Sequence, residues 1–431
     1  MKSVQTVTRG SGRSSLRQVL RGNVVWLSIV SFLNDTASEM VYPLLPLFLT
    51  GTLGAGAAVL GVIEGAAESA SSFIKLASGW ISDRSGQRKP LVVWGYGIAA
   101  IARPLIALVT SPWHVLAIRL SDRAGKGLRA APRDALLAES VTADVRGRAF
   151  GLHRAADHLG AVVGPIIASL LLLVLAGNLR AVFALAAVPG LLAVLTVIVR
   201  VREQVQRRPD RLTPRPVPAA ADRDSIDAVG AGPTPARPAI LDMRGHDPVF
   251  PRFLVAVLLF TLGNATDAFL LLRASSLGVP AAAIPLLWAV HHVSKSAWSV
   301  PGGALADRIG AQRAIVLGWL LYALTYVGFA LASAVWHVWI LMIVYGLFYG
   351  LTEAPEKALV AGLAGRDRRG QAFGAYHFAI GIGALPASVG FGWLWQTWGP
   401  TTAFVAGATL ALAAAFMLAI RVPAQAGRIR H

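Results

Sequence analysis

Acidic residues within apolar segments are the positions in this sequence best suited to chemistry. Asp35 and Glu39 are four residues apart in one apolar segment, and Glu64 and Glu68 are four apart in the next. In an α-helix this spacing puts both members of a pair on one face. A carboxyl group inside a membrane can carry a proton, bind a cation or pair with an arginine. We expect these four acids to serve proton coupling or substrate binding, with Asp35 and Glu64 deepest in their segments.

Basic residues that could pair with these acids occur in segment 112–140. Arg119, Asp122 and Arg123 recur there at helical spacing, so they can share one inward face of their helix and point toward the acids of the other helices. We predict a salt bridge from Asp35 or Glu64 to Arg119 or Arg123, which a proton could displace.

The second half of the chain carries its own set of polar candidates. Two adjacent histidines, His291 and His292, point about 100° apart on a helix and do not suit one metal ion. We predict no metal site. The residues that we expect to act in proton coupling or substrate binding in this half are Asn264, Asp267, His292, Lys295 and Tyr376.

Composition indicates that these residues lie in a membrane. The 431 residues are 55% hydrophobic and only 14% charged, whereas a soluble domain carries about 25% charged residues. The net charge of +18 is concentrated in short gaps and one linker, so it indicates membrane topology and not nucleic-acid binding. No cysteine is present, which excludes disulfides and thiolate chemistry.

The apolar segments are long enough to form twelve membrane-spanning helices. Every second gap between them is basic, which favours cytoplasmic locations for both termini. The predicted spans are 23–49, 56–82, 90–110, 112–140, 147–176, 178–200, 249–275, 280–306, 312–333, 335–364, 370–398 and 399–421. We therefore expect a cytoplasmic tail at 1–22, a six-helix bundle at 23–200, a flexible cytoplasmic linker at 201–248, a second bundle at 249–421 and a tail at 422–431.

The two halves repeat each other. Arg146, Gly147, Ala149, Phe150 and Gly151 recur with the same spacing as Arg369, Gly370, Ala372, Phe373 and Gly374. Parallel repeats of this kind build transporters with a site at the bilayer midplane.

A charged pair of adjacent residues stands at the same place in each repeat. Arg133 and Asp134 correspond to Glu356 and Lys357, with the order of charge exchanged. We predict a salt-bridge pair at the cytoplasmic gate of each half.

The gap after the second span resembles a motif of the major facilitator superfamily. Its residues Gly79, Asp83, Arg84, Gly86, Arg88 and Lys89 follow the family pattern, and a degenerate copy with Asp307 and Arg308 lies in the second half. The resemblance implies a conformational latch formed by Gly79, Asp83, Arg84, Arg88, Asp307 and Arg308.

Two further motifs resemble the proton-coupled drug or metabolite antiporters of that superfamily. Arg123, Gly127, Ala130 and Ala131 follow a fourth-helix pattern, with Lys126 in place of the usual glutamine. On the fifth span, Gly151, Gly160, Gly164 and Pro165 follow an antiporter pattern that ends in Ala-Ser instead of Gly-Gly. Close helix packing through small residues is the plainer interpretation of these glycines.

The resemblance implies an all-α membrane protein with the major facilitator fold, in which twelve transmembrane helices form two pseudo-symmetric six-helix bundles. We expect a secondary transporter, not an enzyme, that lies in a bacterial inner membrane and exports a drug-like compound or metabolite against protons. It would use the proton gradient and no cofactor, contact lipid and act as a monomer. The alternatives are an organic-anion importer, a divalent-metal transporter of the same fold, and a non-transporting receptor or assembly factor.

Overall fold

The computed structural model describes residues 22–85, 88–142, 145–203, 245–365 and 368–423. The N-half of the described chain contains helices α1 to α6. Their bounds are α1 Asn23–Val41, α2 Ala57–Ser85, α3 Lys89–Leu105, α4 Pro112–Glu139, α5 Arg146–Val174 and α6 Leu179–Arg200, the last being interrupted at Ala186. Short helical turns at Tyr42–Leu44, Leu45–Leu47 and Phe48–Thr52 continue α1.

The C-half contains helices α7 to α12. Their bounds are α7 Phe250–Gly263 with Ala268–Ser276, α8 Ala283–Ile309, α9 Ala311–Leu331, α10 Val335–Leu363, α11 Arg369–Trp398 and α12 Pro400–Arg421. The twelve helices begin and end within a few residues of the predicted spans. No strand occurs in the described ranges.

Nine of these helices are long and apolar enough to span a membrane by length and composition alone, within the described residues. The other three are α1, α4 and α8. Their sequences carry the acids, arginines and polar residues noted above, which lower the mean hydropathy. Large apolar side chains such as Trp94, Val174 and Phe416 are exposed on the outer surface, as expected where lipid covers the protein.

Local sequence signals set several helix boundaries. Ser111 caps α4 by accepting a hydrogen bond from the backbone N–H of Trp113, and Pro112 occupies the first helical position. The tight turn from α11 to α12 occurs at Gly399, whose φ of 88° lies in the left-handed region that favours glycine.

The two ends of the bundle differ in how the halves contact each other. We call the end where α1 begins and α12 ends the terminal side, and the opposite end the far side. The most extensive contacts between the halves join α2 to α11 and α5 to α8. At the far side, the Ala58 backbone N–H donates to Gln396 (3.2 Å), and the Ser169 hydroxyl donates to the Ala282 carbonyl (2.6 Å). The far side is therefore closed.

The terminal side is more open. The side chains of Asp134, Glu353 and Lys357 are 48%, 40% and 43% exposed, although they belong to helices that line the centre of the molecule. Because water reaches these charges, the space between the halves opens toward the terminal side in this conformation.

Helix α7 is broken in its middle, which the sequence analysis did not predict. Residues between Gly263 and Ala268 leave the helix, and neighbouring side chains replace the lost backbone hydrogen bonds. The Tyr322 hydroxyl donates to the Gly263 carbonyl (3.0 Å), and the Thr266 N–H donates to the Ser388 hydroxyl (3.2 Å). The break lies beside the central cavity, where irregular backbone is tolerated in membrane proteins.

Candidate functional site

A cavity of about 490 Å³ lies between the halves. Charged, polar and aromatic side chains from both halves line it. Of the predicted coupling and substrate residues, the lining includes Glu39, Glu64, Glu68, Arg123, Asn264, Asp267, Lys295 and Tyr376. Asp35, Arg119, Asp122 and His292 lie behind this wall. The volume is within the range of small-molecule sites.

Glu64 and Arg119 form a buried ion pair at the cavity wall. Arg119 donates from Nε to Oε1 (2.7 Å) and from Nη2 to Oε2 (2.6 Å), so the contact is bidentate. Both side chains are almost fully buried. This is the arrangement predicted for Glu64, and such charge-assisted pairs are short and strong.

A second buried ion pair extends this network behind the cavity. Arg103 on α3 donates to Asp122 (2.9 Å) and also to the side chain and carbonyl of Asn34 (both 3.0 Å). Asp122 lies 3.6 Å from Arg119. The paired charges of α2, α3 and α4 thus form one connected network.

Asp35 makes a different contact from the predicted one. It accepts a hydrogen bond from Asn34 (2.9 Å), and no described ion pair joins it to Arg119 or Arg123. Its helix packs tightly on α5 instead: a Cβ built at Gly160 would lie 3.1 Å from the Asp35 Cβ. Asp35 therefore lies beside α5, while it also interacts electrostatically with Lys126 and Arg129 of α4.

Arg123 and Lys126 give the N-half wall of the cavity its positive charge. Both interact electrostatically with Glu68. Within the described residues the Arg123 Nε is buried and has no hydrogen-bond partner. These two cations face the cavity without the tight pairing seen for Arg119.

Two acids on the C-half wall are held by neutral donors. Asp267, the last residue of the break in α7, accepts from the hydroxyls of Tyr345 (2.6 Å) and Tyr349 (3.1 Å). Neither donor carries a charge, and no counter-ion among the described residues lies at hydrogen-bonding distance from this carboxylate.

Glu356 is also held by neutral donors, and the predicted salt bridge between Glu356 and Lys357 does not form. It accepts from the Trp319 indole (3.1 Å) and the Tyr376 hydroxyl (2.6 Å), and it does not bind Lys357. Lys357 instead pairs with Glu353 (3.0 Å), which is four residues earlier and on the same helix face. In the N-half, Arg133 and Asp134 do pair (2.8 Å).

One set of polar contacts crosses between the halves at the far end of the cavity. The Trp288 indole on α8 donates to the Glu39 carboxylate on α1 (2.8 Å), and the His292 Nε2 lies 3.9 Å from the same carboxylate. Beside them, Tyr42 packs on Trp288 with ring centroids 5.3 Å apart.

The predicted latch is only partly described. The side chains of Gly79, Asp83 and Arg84 lie outside the described set. Arg88 pairs with Glu139, and Asp307 and Arg308 are exposed near the end of α8.

The glycines of α5 pack against α1. A Cβ at Gly160 or Gly164 would lie 2.5 Å from the carbonyl oxygen of Phe32 or Thr36, respectively. Gly151 has open space around it, and Pro165 is buried within the helix. The motif therefore brings two helices of one half together.

Several residues of the site were not predicted from the sequence. Arg103 completes the buried network, and Trp288, Trp319, Tyr345 and Tyr349 hold the cavity acids. Arg103 could have been found, because a single arginine interrupts an otherwise apolar span. The aromatic donors carry no comparable signal. Within the described residues, no three His, Cys, Asp or Glu side chains are grouped so that they could hold a metal ion.

Comparison with known proteins gives a family match over most of the sequence. The model described as Major Facilitator Superfamily matches residues 27–291 and 253–430.

Individual proteins show different extents of similarity. The uncharacterized MFS-type transporter MJ1317 of Methanocaldococcus jannaschii is 30% identical over 405 residues, which cover 93% of this chain and 94% of that protein. The multidrug resistance protein MdtH of Photorhabdus laumondii is 34% identical over 133 residues, or 31% and 33% of the two chains. A single-site mutant of the nucleoside transporter NupG superposes with a TM-score of 0.76 at 15% identity, covering 93% of this chain and all (100%) of that one.

Proposed function

This chain belongs to the major facilitator superfamily, and from that membership we propose that it exports a small molecule from a bacterial cell in exchange for protons. Transport of a small-molecule substrate is common to the family, whose members are transporters and not enzymes. The proposal adds a direction, a coupling ion and a substrate class. It also takes the terminal side as cytoplasmic, because the basic gaps lie there.

The buried ion pair of Glu64 and Arg119 is the observation that carries proton coupling. A proton on Glu64 would remove the negative charge that neutralises Arg119 in a site with little water. The free energy of the pair would then depend on whether the proton is bound. Because Glu64 also lines the cavity, substrate and proton can affect the same carboxylate.

The C-half wall supports a substrate with a positive or polar aromatic group. Among the described residues, Asp267 and Glu356 have only neutral donors at hydrogen-bonding distance, and those donors are aromatic side chains. A cation can be bound by such carboxylates and by the faces of aromatic rings. The partial similarity to a multidrug resistance protein agrees with export of drug-like compounds.

Alternating access would connect these elements. In the conformation described, the far side is closed and the terminal side is open, so substrate would enter from the cytoplasm. Exchange between this state and its opposite would carry the substrate outward and protons inward.

Transport by purified protein in liposomes tests the proposal. Ethidium serves as an aromatic cation probe, and an acidic lumen supplies the gradient. We expect gradient-driven ethidium uptake by the wild type. In Glu64→Gln and Asp35→Asn the rate of uptake should fall about tenfold, which corresponds to ~1.4 kcal/mol. Glu203→Gln is the matched control, because it neutralises an acid that accepts hydrogen bonds from the backbone N–H groups of Arg88 and Lys89 and does not line the cavity. Full proton-coupled uptake in both Glu64→Gln and Asp35→Asn would contradict the proposal.

Organic-anion import is a second candidate, favoured by Arg123. Its Nε lacks a partner in the described chain, and with Lys126 it forms a cationic part of the cavity wall. Counterflow of fluorescein, an aromatic anion, would be lost in Arg123→Gln on this alternative. The efflux proposal instead predicts that ethidium flux is more sensitive to Asp267→Asn.

A further inference from the structure

We propose that Glu39 and His292 form a proton-operated latch between the halves, separate from the motif latch that includes Gly79 and Asp307. One proton bound by the pair holds the far side closed, and its loss allows that side to open. The inference rests on the proposed proton coupling and assigns its conformational step to a pair of residues different from Glu64 and Arg119.

The position of the pair is the first argument. Among the ion pairs of the described residues, Glu39 with His292 is the one that joins the two halves; the others, including Glu64 with Arg119 and Lys295 with Glu353, lie within one half. A charge change inside one half alters the stability of that half in both conformations. A charge change across the halves acts directly on the difference between the conformations, which is what shifts their populations.

The hydrogen bonding of His292 is the second argument. Both its ring nitrogens are buried and have no hydrogen-bond partner in the described chain. Its Nε2 lies 3.9 Å from the Glu39 carboxylate, slightly beyond hydrogen-bonding distance. A buried polar group without a partner calls for an explanation. A proton on Nε2 would make that nitrogen a charged donor, and a small shift would bring it onto the carboxylate.

The charge balance of this step is simple. One proton binds to the His292 imidazole, and the resulting N–H donates to Glu39, which stays ionised. The Trp288 indole already donates to the same carboxylate oxygen at 2.8 Å and does not titrate. The added ion pair would strengthen a contact that exists only while the far side is closed.

Other charged groups lie around the pair and set its electrostatic background. Burial is the largest influence and disfavours the charged form of both residues. Positive charge from α4 and α8 then favours an ionised Glu39 and opposes a positive charge on His292, whereas Asp35 acts against the charge on the carboxylate. The titratable and charged neighbours are Asp35 on α1, Arg123 and Lys126 on α4, His158 on α5, and His291 and Lys295 on α8. At 3.9 Å, Glu39 lies within ion-pair distance of His292, and no other described acid does.

The latch would run in the direction that antiport requires. A proton that enters from the far side binds the pair, and the far side closes behind it. The Glu39 carboxylate lines the cavity, which opens toward the terminal side, so the proton can leave there. Deprotonation then weakens the far-side contact and allows the next opening.

The sequence allows a clean conformational measurement, because it contains no cysteine. Spin labels attached to Thr110→Cys and Ser333→Cys would report the distance across the far side, since both residues are exposed in far-side loops of opposite halves. Distances would be measured by pulsed electron paramagnetic resonance at pH 5.5 and pH 8.5, in nanodiscs and without substrate.

The latch predicts a pH-dependent ratio of short to long distances. If the pair binds a proton about ten times more tightly in the far-side-closed state, the ratio falls by up to about tenfold on going from pH 5.5 to pH 8.5. His292→Gln and Glu39→Gln should remove this dependence, while glutamine at position 39 keeps an acceptor for Trp288. Trp288→Phe is the matched control: it removes a cross-half hydrogen bond but no titrating group, so it should favour the long distance at both pH values and retain the dependence.

A pH dependence that persists in both His292→Gln and Glu39→Gln, or that is absent from the wild type, would overturn the latch. Because the measurement needs no substrate flux, its result is separate from the transport test. Loss of gradient-driven uptake in Glu64→Gln together with an unchanged pH dependence of the distances would support both assignments. Full uptake in that variant would remove the proposed role of Glu64 and leave the latch standing.

Discussion

The N-half and the C-half treat buried acids in different ways. In the N-half, Glu64 and Asp122 are bound by Arg119 and Arg103. In the C-half, Asp267 and Glu356 are bound by tyrosine hydroxyls and an indole. An arginine cannot give up its charge, so it stabilises an ionised acid, whereas a neutral donor can serve a carboxylate while leaving its charge available to a cation. Glu64 and Asp122 therefore belong to an internally neutralised network in the N-half, whereas Asp267 and Glu356 in the C-half face the cavity with no described cation at hydrogen-bonding distance.

The largest expected effect comes from breaking an ion pair of the N-half. Arg119→Met would leave the Glu64 carboxylate buried, with no arginine at hydrogen-bonding distance. Removing one partner of a buried pair costs about 3–5 kcal/mol, whereas replacing both by apolar residues is often nearly neutral. We expect a large loss of thermal stability in detergent for Arg119→Met.

The double variant Arg119→Met with Glu64→Leu is the control for that experiment. It should recover most of the lost stability, because no uncompensated charge remains. Equal stability of the single and double variants would contradict the view that neutralisation holds this network together.

An intermediate effect should separate two matched acids, one from each half. Asp122→Asn weakens the hydrogen bond from Arg103 and removes the charge that faces Arg119 at 3.6 Å. A hydrogen bond to a charged group contributes about 1.5–3 kcal/mol. Asp267→Asn keeps an oxygen that can accept from Tyr345 or Tyr349, so its cost should stay below about 1 kcal/mol. Thermal unfolding of both variants in the same detergent would test this difference between the halves. Equal losses of stability in the two variants would contradict it.

The smallest effect is expected from single donors in the C-half. Tyr376→Phe removes one of the two hydrogen bonds to Glu356, and a neutral bond of this kind contributes about 1 kcal/mol. We expect little change in unfolding but stronger ethidium binding to the less satisfied carboxylate. Unchanged binding by fluorescence titration would argue that Glu356 does not meet the cation; Tyr349→Phe provides the parallel test at Asp267.

Much of the fold could be predicted because it depends on composition along the chain. Apolar length and alternating basic gaps gave the twelve helices, and the repeated Arg-Gly-x-Ala-Phe-Gly segment gave the two halves. Helical spacing also predicted that Glu64 could meet an arginine of α4, because both residues lie on inward faces.

The partners of most site residues depend on packing between helices and were not predictable. Asp35 faces α5, where Gly160 lets the backbones approach, and Arg103 from α3 takes the place beside Asp122. The error at Glu356 and Lys357 arose because Trp319 and Tyr376, from other helices, bind Glu356, and Lys357 meets Glu353 one turn away instead. The break in α7 relies on Tyr322 and Ser388, which are distant in sequence.

Proton release on substrate binding tests the central claim most directly. Ethidium binding would be measured by calorimetry at one pH in two buffers with different ionisation enthalpies, for the wild type and Glu64→Gln. The account predicts that binding to the wild type displaces protons and that Glu64→Gln binds ethidium with a smaller displacement. Tight binding with no proton exchange in the wild type, or the same exchange in both proteins, would contradict proton coupling through this cavity.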